Sequence, residues 1–190
     1  DLSKTFDMPW DITGELTAGV LEGGNGEGAN TFGDSRRRPT LYSHFKTYKE
    51  FSDVTDLEIG ATHMVGSNDA DQRFEVNVLG FDATWNYYVT PSNKLKWQSE
   101  FYVQSRKESF EIAPNEVVVQ ADGFERTVGG DVTHFQAHPF GFYSLVDYRI
   151  DPRWELGARV DAVQPVNAAP DDRRFETGAA AFLTWHQSEF

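Results

Sequence analysis

Trp154-Glu155-Leu156-Gly157-Ala158-Arg159-Val160-Asp161-Ala162-Val163 is the stretch on which the reading of this chain turns. Trp154, Leu156, Ala158, Val160 and Ala162 fall on one side of an extended backbone, and Glu155, Gly157, Arg159 and Asp161 on the other. Successive side chains of a β-strand point to opposite faces, so this alternation predicts a strand with one apolar and one polar face. Seven more stretches follow the rule. Residues 175–185 place Phe175, Ala179, Ala181, Leu183 and Trp185 together, opposite Glu176. Residues 95–103 set Leu95, Trp97, Phe101 and Val103 against Lys96 and Glu100, and residues 57–65 set Leu57, Ile59 and Val65 against Glu58. Residues 12–20, 41–47, 79–89 and 142–150 repeat the pattern, with Asp82, Asp147 and Arg149 on the polar side. Apolar residues rarely recur at i, i+3, i+4 and i+7, so no helix is expected.

The 190 residues carry a formal net charge of −13, no cysteine, 14% aromatics and two methionines. The acidic balance argues against a nucleic-acid partner, which would need a basic surface to neutralise phosphates. Absence of cysteine removes disulfides, thiolate metal sites and cysteine nucleophiles. Mean hydropathy is negative, and no run approaches the roughly 20 apolar residues of a membrane helix. Alone, these figures describe an acidic soluble domain.

The strand pattern contradicts that description. The eight stretches run to about 8–11 residues, longer than the roughly 5–6 of soluble strands and close to the 9–11 of a tilted membrane-crossing strand. Their apolar faces carry no Asp, Glu, Lys or Arg. Their polar faces hold Glu58, Asp82, Lys96, Glu100, Asp147, Arg149, Glu155, Arg159, Asp161 and Glu176, which are expected to line a lumen. Connections alternate between short ones with turn chemistry (Met8-Pro9, Thr90-Pro91-Ser92-Asn93, Asp151-Pro152-Arg153) and long polar ones at 22–39, 66–73, 105–139 and 164–172. Trp10, Phe51, Tyr87, Tyr148, Trp154 and Trp185 lie near the short turns. Together with Trp97 they are expected to form an aromatic girdle at a membrane–water interface, all but Phe51 extending an apolar face. Strand propensity also favours aromatics, but it does not explain their clustering at one end.

Other candidates are thinner. His134 and His138 are four apart with Asp131 nearby, a metal-ligand spacing only on a helix; two solvated loop histidines are the commoner outcome. Within the long loop at 105–139, Asp122-Gly123 between two β-prone runs predicts a type I′ hairpin. Arg36, Arg37 and Arg38 could attract lipopolysaccharide phosphates, and Asp69 with Asp71 a divalent cation, although both are also ordinary loop features. No cofactor is expected.

A set of segments resembles Gram-negative outer-membrane barrels. They are Phe32-Gly33-Asp34-Ser35-Arg36-Arg37-Arg38-Pro39, Leu57-Glu58-Ile59-Gly60-Ala61, Leu95-Lys96-Trp97-Gln98-Ser99-Glu100, Gly141-Phe142-Tyr143-Ser144-Leu145-Val146-Asp147-Tyr148, Trp154-Glu155-Leu156-Gly157-Ala158-Arg159 and Trp185-His186-Gln187-Ser188-Glu189-Phe190. They are similar to the barrels labelled TonB-dependent-receptor-like or zinc-regulated outer-membrane receptors. The resemblance covers most of the chain from Phe32 onward, and its motifs are specific for architecture rather than substrate. It implies a membrane barrel in which Ser188-Glu189-Phe190 leads into a further strand, so the chain would be part of a larger barrel.

The expectation is therefore an all-β, antiparallel transmembrane β-barrel of about eight strands across residues 1–190, complete or part of a larger one, in a bacterial outer membrane. Its partners would be outer-membrane lipid, lipopolysaccharide and a small solute, which it would transport or let permeate with no chemical step. Two alternatives stay open. One is a soluble secreted β-barrel or sandwich binding carbohydrate or lipid, with the aromatic face inward. The other is an outer-membrane barrel hydrolase. Oligomeric state is not set by the sequence.

Overall fold

The structure, a computed structural model, describes residues 1–21, 32, 39–67, 74–111, 116–119, 125–128, 132–165 and 174–187; for 108–111, 116–119, 125–128 and 132–135 it describes the backbone alone. Residues 131, 36–38, 69 and 71 lie outside that set.

Every described element is a β-strand: β1 Leu2–Met8, β2 Ile12–Leu21, β3 Thr40–Ser52, β4 Thr55–Ser67, β5 Glu75–Tyr88, β6 Lys94–Glu111, β7 Glu116–Val119, β8 Glu125–Val128, β9 Val132–Ala137, β10 Phe140–Arg149, β11 Trp154–Val163 and β12 Glu176–Trp185. Ten of them form one antiparallel sheet in the order β1-β2-β3-β4-β5-β6-β10-β11-β12, with β9 also on β6. From β1 to β6 and from β10 to β12 each strand pairs with the next in sequence, an up-and-down arrangement, while β10 and β9 both pair with β6. The sheet is not closed: β1 and β12 are its two edges.

The loop expected at 105–139 is largely ladder. β6 continues to Glu111 and pairs with β9 from Arg106↔Ala137 to Glu111↔Val132. The β6–β10 ladder, from Val103↔Phe140 to Lys94↔Arg149, keeps the same register. β9 and β10 are therefore one line of chain broken only at His138-Pro139. Proline lacks the N–H that would complete the pair with Gln104, yet its carbonyl accepts the Gln104 N–H at 2.9 Å. Polar residues on both faces of 105–111 hid this extension from a reading based on apolar alternation. β7 and β8 pair as a separate two-stranded ladder. It matches Val119 with Glu125, and Asp122-Gly123, where a type I′ turn was expected, lies outside the described residues.

Two other strands escaped the sequence reading: β1, whose apolar side is interrupted by Lys4, and β9. The short turns lie at one end of the sheet and are held locally. Asp151 Oδ1 accepts the backbone N–H groups of Arg153 (2.7 Å) and Trp154 (3.0 Å), and Thr90 Oγ1 accepts those of Ser92 (3.3 Å) and Asn93 (3.1 Å). Trp10 sits in the β1–β2 turn, not on a strand, with a φ of 65°, and Asp11 follows at 56°.

The register sorts the side chains. Row by row across the sheet, one face presents Thr177, Ala162, Phe142, Phe101, Phe81, Ala61, Phe45 and Leu16, paired in that order from β12 to β2. The row on the other face runs Gly178, Asp161, Tyr143, Glu100, Asp82, Gly60, Lys46 and Glu15. Exposure then inverts the soluble norm. Along β5 the polar-face positions Val76, Val78 and Gly80 are buried while Leu79 and Phe81 are exposed. On β4, Asp56 is 5% and Thr62 6% exposed against 50% for Ile59. With no second layer to cover it, a single sheet can bury a face only by curling around it, so the polar face is the concave one. The buried apolar side chains among the described residues are few: Val76, Val78, Ala137 and Ala162.

Small residues on the concave face make room for rings from the adjacent strand. Tyr102 lies across Gly80, and Phe182 across Gly157, each its register partner. A side chain at Gly157 would occupy the position of the Phe182 ring. Gly157→Val is therefore expected to lower stability by about 1–3 kcal/mol, read as a drop in the unfolding midpoint; an unchanged midpoint would show that the ring moves away freely.

Candidate functional site

The concave face is a connected polar surface. Lys46 on β3 bridges acids from both flanking strands, with Nζ 3.7 Å from Glu15 on β2 and 3.4 Å from Glu58 on β4. His44 Nε2 reaches Asp82 at 3.3 Å although a whole strand, β4, lies between them. Gly60 makes this possible: a Cβ there would collide with both side chains. Asn86 donates to Asp56 at 2.6 Å, and Ser3 to Glu15 at 2.7 Å.

Towards β10 and β11, the Tyr143 hydroxyl donates to Glu100 at 2.6 Å and accepts from Gln98 Nε2 at 2.9 Å. Tyr102 stands two residues along β6 from Glu100, on the same face. Arg159 stacks on the Tyr143 ring, 4.6 Å from its centroid, and pairs with Asp161 at 3.2 Å. At the short-turn end, Arg149 and His186 hold Glu155 at 3.6 and 3.4 Å. Lys94, Lys96, Asp147, Arg149 and Glu155 line a cavity of about 210 Å³ there.

All ten charged residues expected to line a lumen therefore fall on the concave face by register, although Arg149, Arg159 and Glu176 remain exposed. His44, Tyr102 and Tyr143 were not singled out from sequence. Alternation puts them on the polar side, but His44–Asp82 contact depends on register over three strands.

The convex face carries the aromatics. Trp97 is 38%, Trp154 41% and Trp185 55% exposed. Trp85 pairs with Trp97, Trp154 with Trp185, and Tyr87 and Tyr148 both with Leu95. The indole N–H groups find hydroxyls on their own face: Trp85 to Thr55 Oγ1 and Trp97 to Ser144 Oγ, both 2.9 Å. All five tryptophans of the chain lie towards the short-turn end, and phenylalanines fill the band beyond. Described charges on this face lie near the strand ends (Lys49, Glu75, Lys107), except Lys4 on edge strand β1, paired with Leu16.

The histidine candidates do not converge. His138 is exposed, His134 belongs to β9, where only the backbone is described, and Asp131 lies outside the described residues. Four residues of extended chain span about 13 Å, unlike the single helical turn that this ligand spacing requires. Among the described residues no group of three or more His, Cys, Asp or Glu could hold a metal ion. No protein-family model matches the sequence, and no curated protein or solved structure is detectably similar to it.

The Lys46 bridge yields a test. Lys46→Met leaves Glu15 and Glu58 facing each other without their shared cation. A loss of about 1 kcal/mol or less is expected, given the partial exposure of all three groups, and it should shrink in high salt. Denaturant midpoints at low and high NaCl check this; an equal loss at both would assign the effect to packing.

Proposed function

We propose that the chain forms the wall of a transmembrane β-barrel in a bacterial outer membrane and passes a small, preferentially cationic solute along its concave face without a chemical step. The observation that carries this reading is the inverted exposure of the sheet: a convex belt of Phe, Leu, Val and Trp and a concave surface of paired charges. In water such a belt would be an exposed apolar patch far beyond what a soluble monomer tolerates. In hydrocarbon it is the required surface, and the tryptophans would sit at headgroup level. Residues 95–103 span roughly 27 Å along the strand, enough for a tilted crossing of a thin outer membrane. The soluble alternative, with the aromatics inward, fits poorly with the exposure of Trp97, Trp154 and Trp185.

A barrel in lipid has no free edge, because unsatisfied N–H and C=O groups are costly in hydrocarbon. On this reading β1 and β12 pair with each other, with further strands of the same polypeptide or with another copy. Cation preference follows from the middle of the concave wall, where, among the described residues, Glu15, Glu58, Asp82, Glu100 and Asp161 face Lys46, Arg159 and His44. The resemblance to receptor-like barrels is compatible with uptake, but the wall itself supports permeation.

The hydrolase alternative needs a nucleophile beside its base. Among the described residues no serine or threonine hydroxyl is bonded to His44 or His186, the two histidines that pair with carboxylates.

The protein is expected to partition into detergent, to migrate faster on unboiled than on boiled gels, and to conduct in planar bilayers with a reversal potential favouring K⁺ over Cl⁻. Full solubility without detergent would overturn the membrane reading; an anion-selective current would overturn the cation preference alone.

A further inference from the structure

The concave face holds a cavity of about 560 Å³ at the long-loop end. That volume is in the range of sites that take small organic ligands. Its walls are unlike the rest of the concave face. Phe32, Met64, Val78 and the Tyr102 and Tyr143 rings give it an apolar surface, and Glu100 is set among them.

The electrostatics of the cavity are one-sided. Arg159 is the cation in its wall, and that guanidinium is already tied to Asp161 at 3.2 Å and laid on Tyr143 at 4.6 Å from the ring centroid. Glu100 receives the hydroxyl of Tyr143 at 2.6 Å, and the Tyr102 ring lines the same cavity. The donor is neutral, so it holds the carboxylate without cancelling its charge. No ion pair to Glu100 occurs among the described residues, and its register partner on β5 is another acid, Asp82. A carboxylate can accept about four hydrogen bonds, so further donors can be accommodated.

A carboxylate held by a phenol beside apolar and aromatic walls suits one ligand chemistry: a primary ammonium on a hydrophobic body. The ammonium supplies the missing charge and extra donors, ring faces attract cations, and the body displaces water from Phe32, Met64 and Val78. An anion would meet Glu100 and Asp161 first, and a neutral solute would leave the Glu100 charge uncompensated.

We propose that this cavity is a binding site for a small organic ammonium ion, with Glu100 as its counter-ion and Tyr102 as the adjoining ring wall. As the identity of a permeant, this rests on the permeation reading; as a binding site it depends only on the fold of the concave face.

The test uses phenethylammonium as probe, with phenylacetate and 2-phenylethanol as charge controls, titrated calorimetrically into the folded protein in detergent micelles. Wild type is expected to bind phenethylammonium saturably, and at least tenfold more tightly than either control. Glu100→Gln keeps shape and hydrogen-bond capacity and is expected to weaken it at least tenfold. Arg159→Gln removes the competing cation and is expected to tighten it two- to threefold, a gain that general damage to the fold would not give. Equal affinity for phenylacetate, equal binding by wild type and Glu100→Gln, or no saturable binding at millimolar probe would overturn the site; if Glu100→Gln fails to fold, a lack of tightening in Arg159→Gln would do so. Bilayer conductance in parallel separates the two claims. Binding without current keeps the site and removes permeation, whereas current without binding removes the site alone.

Discussion

The structure depends on one constraint: a single sheet has two faces and, here, no second layer to cover either. A β-sandwich hides its apolar faces against each other. This sheet has no such partner among the described elements, and few of the described apolar side chains are buried. Curling around one face is the remaining solution, and the face enclosed is the one with Gly60, Gly80, Gly157 and the charges. Rings inside that curve, such as Tyr102 and Phe182, lie over glycines.

That choice organises the chemistry. Charges brought inside must find partners or water, since an unpaired buried charge is expensive. The concave face answers with cross-strand pairs such as Lys46 with Glu15 and Glu58, and His44 with Asp82 across Gly60. Other acids are held by neutral donors, Asp56 by Asn86 and Glu100 by the Tyr143 hydroxyl. Glu100 stands where the wall changes from charged to aromatic, and the proposed ammonium site arises at that boundary.

Much of this was legible in the sequence, for a physical reason. The side-chain period of a strand is two, so Trp154 to Val163 assigns every residue to a face before any partner strand is known. The ten charged residues on the polar face and Trp97, Trp154 and Trp185 on the apolar face followed directly. Turn chemistry at Asp151-Pro152-Arg153 and Thr90-Pro91-Ser92-Asn93 placed the short connections. What escaped was ladder without apolar alternation. Backbone hydrogen bonds ask nothing of side chains, so residues 105–111 and 132–137 extend the β6 ladder while reading as loop. β1 was hidden by Lys4, and Trp10 proved to sit in a turn. The spacing of His134 and His138 carried helical meaning into an extended chain, where it has none.

The sequence by itself determined that the chain is antiparallel β, which side of each strand is apolar, and that this side is rich in aromatics. Only the tertiary structure decided which side is concave, because alternation is symmetric between an apolar interior and an apolar exterior. It also decided which charges meet. Register is a relation between strands, so the contact of His44 with Asp82 over Gly60, and the bond from Tyr143 to Glu100, exist in no single segment of the chain.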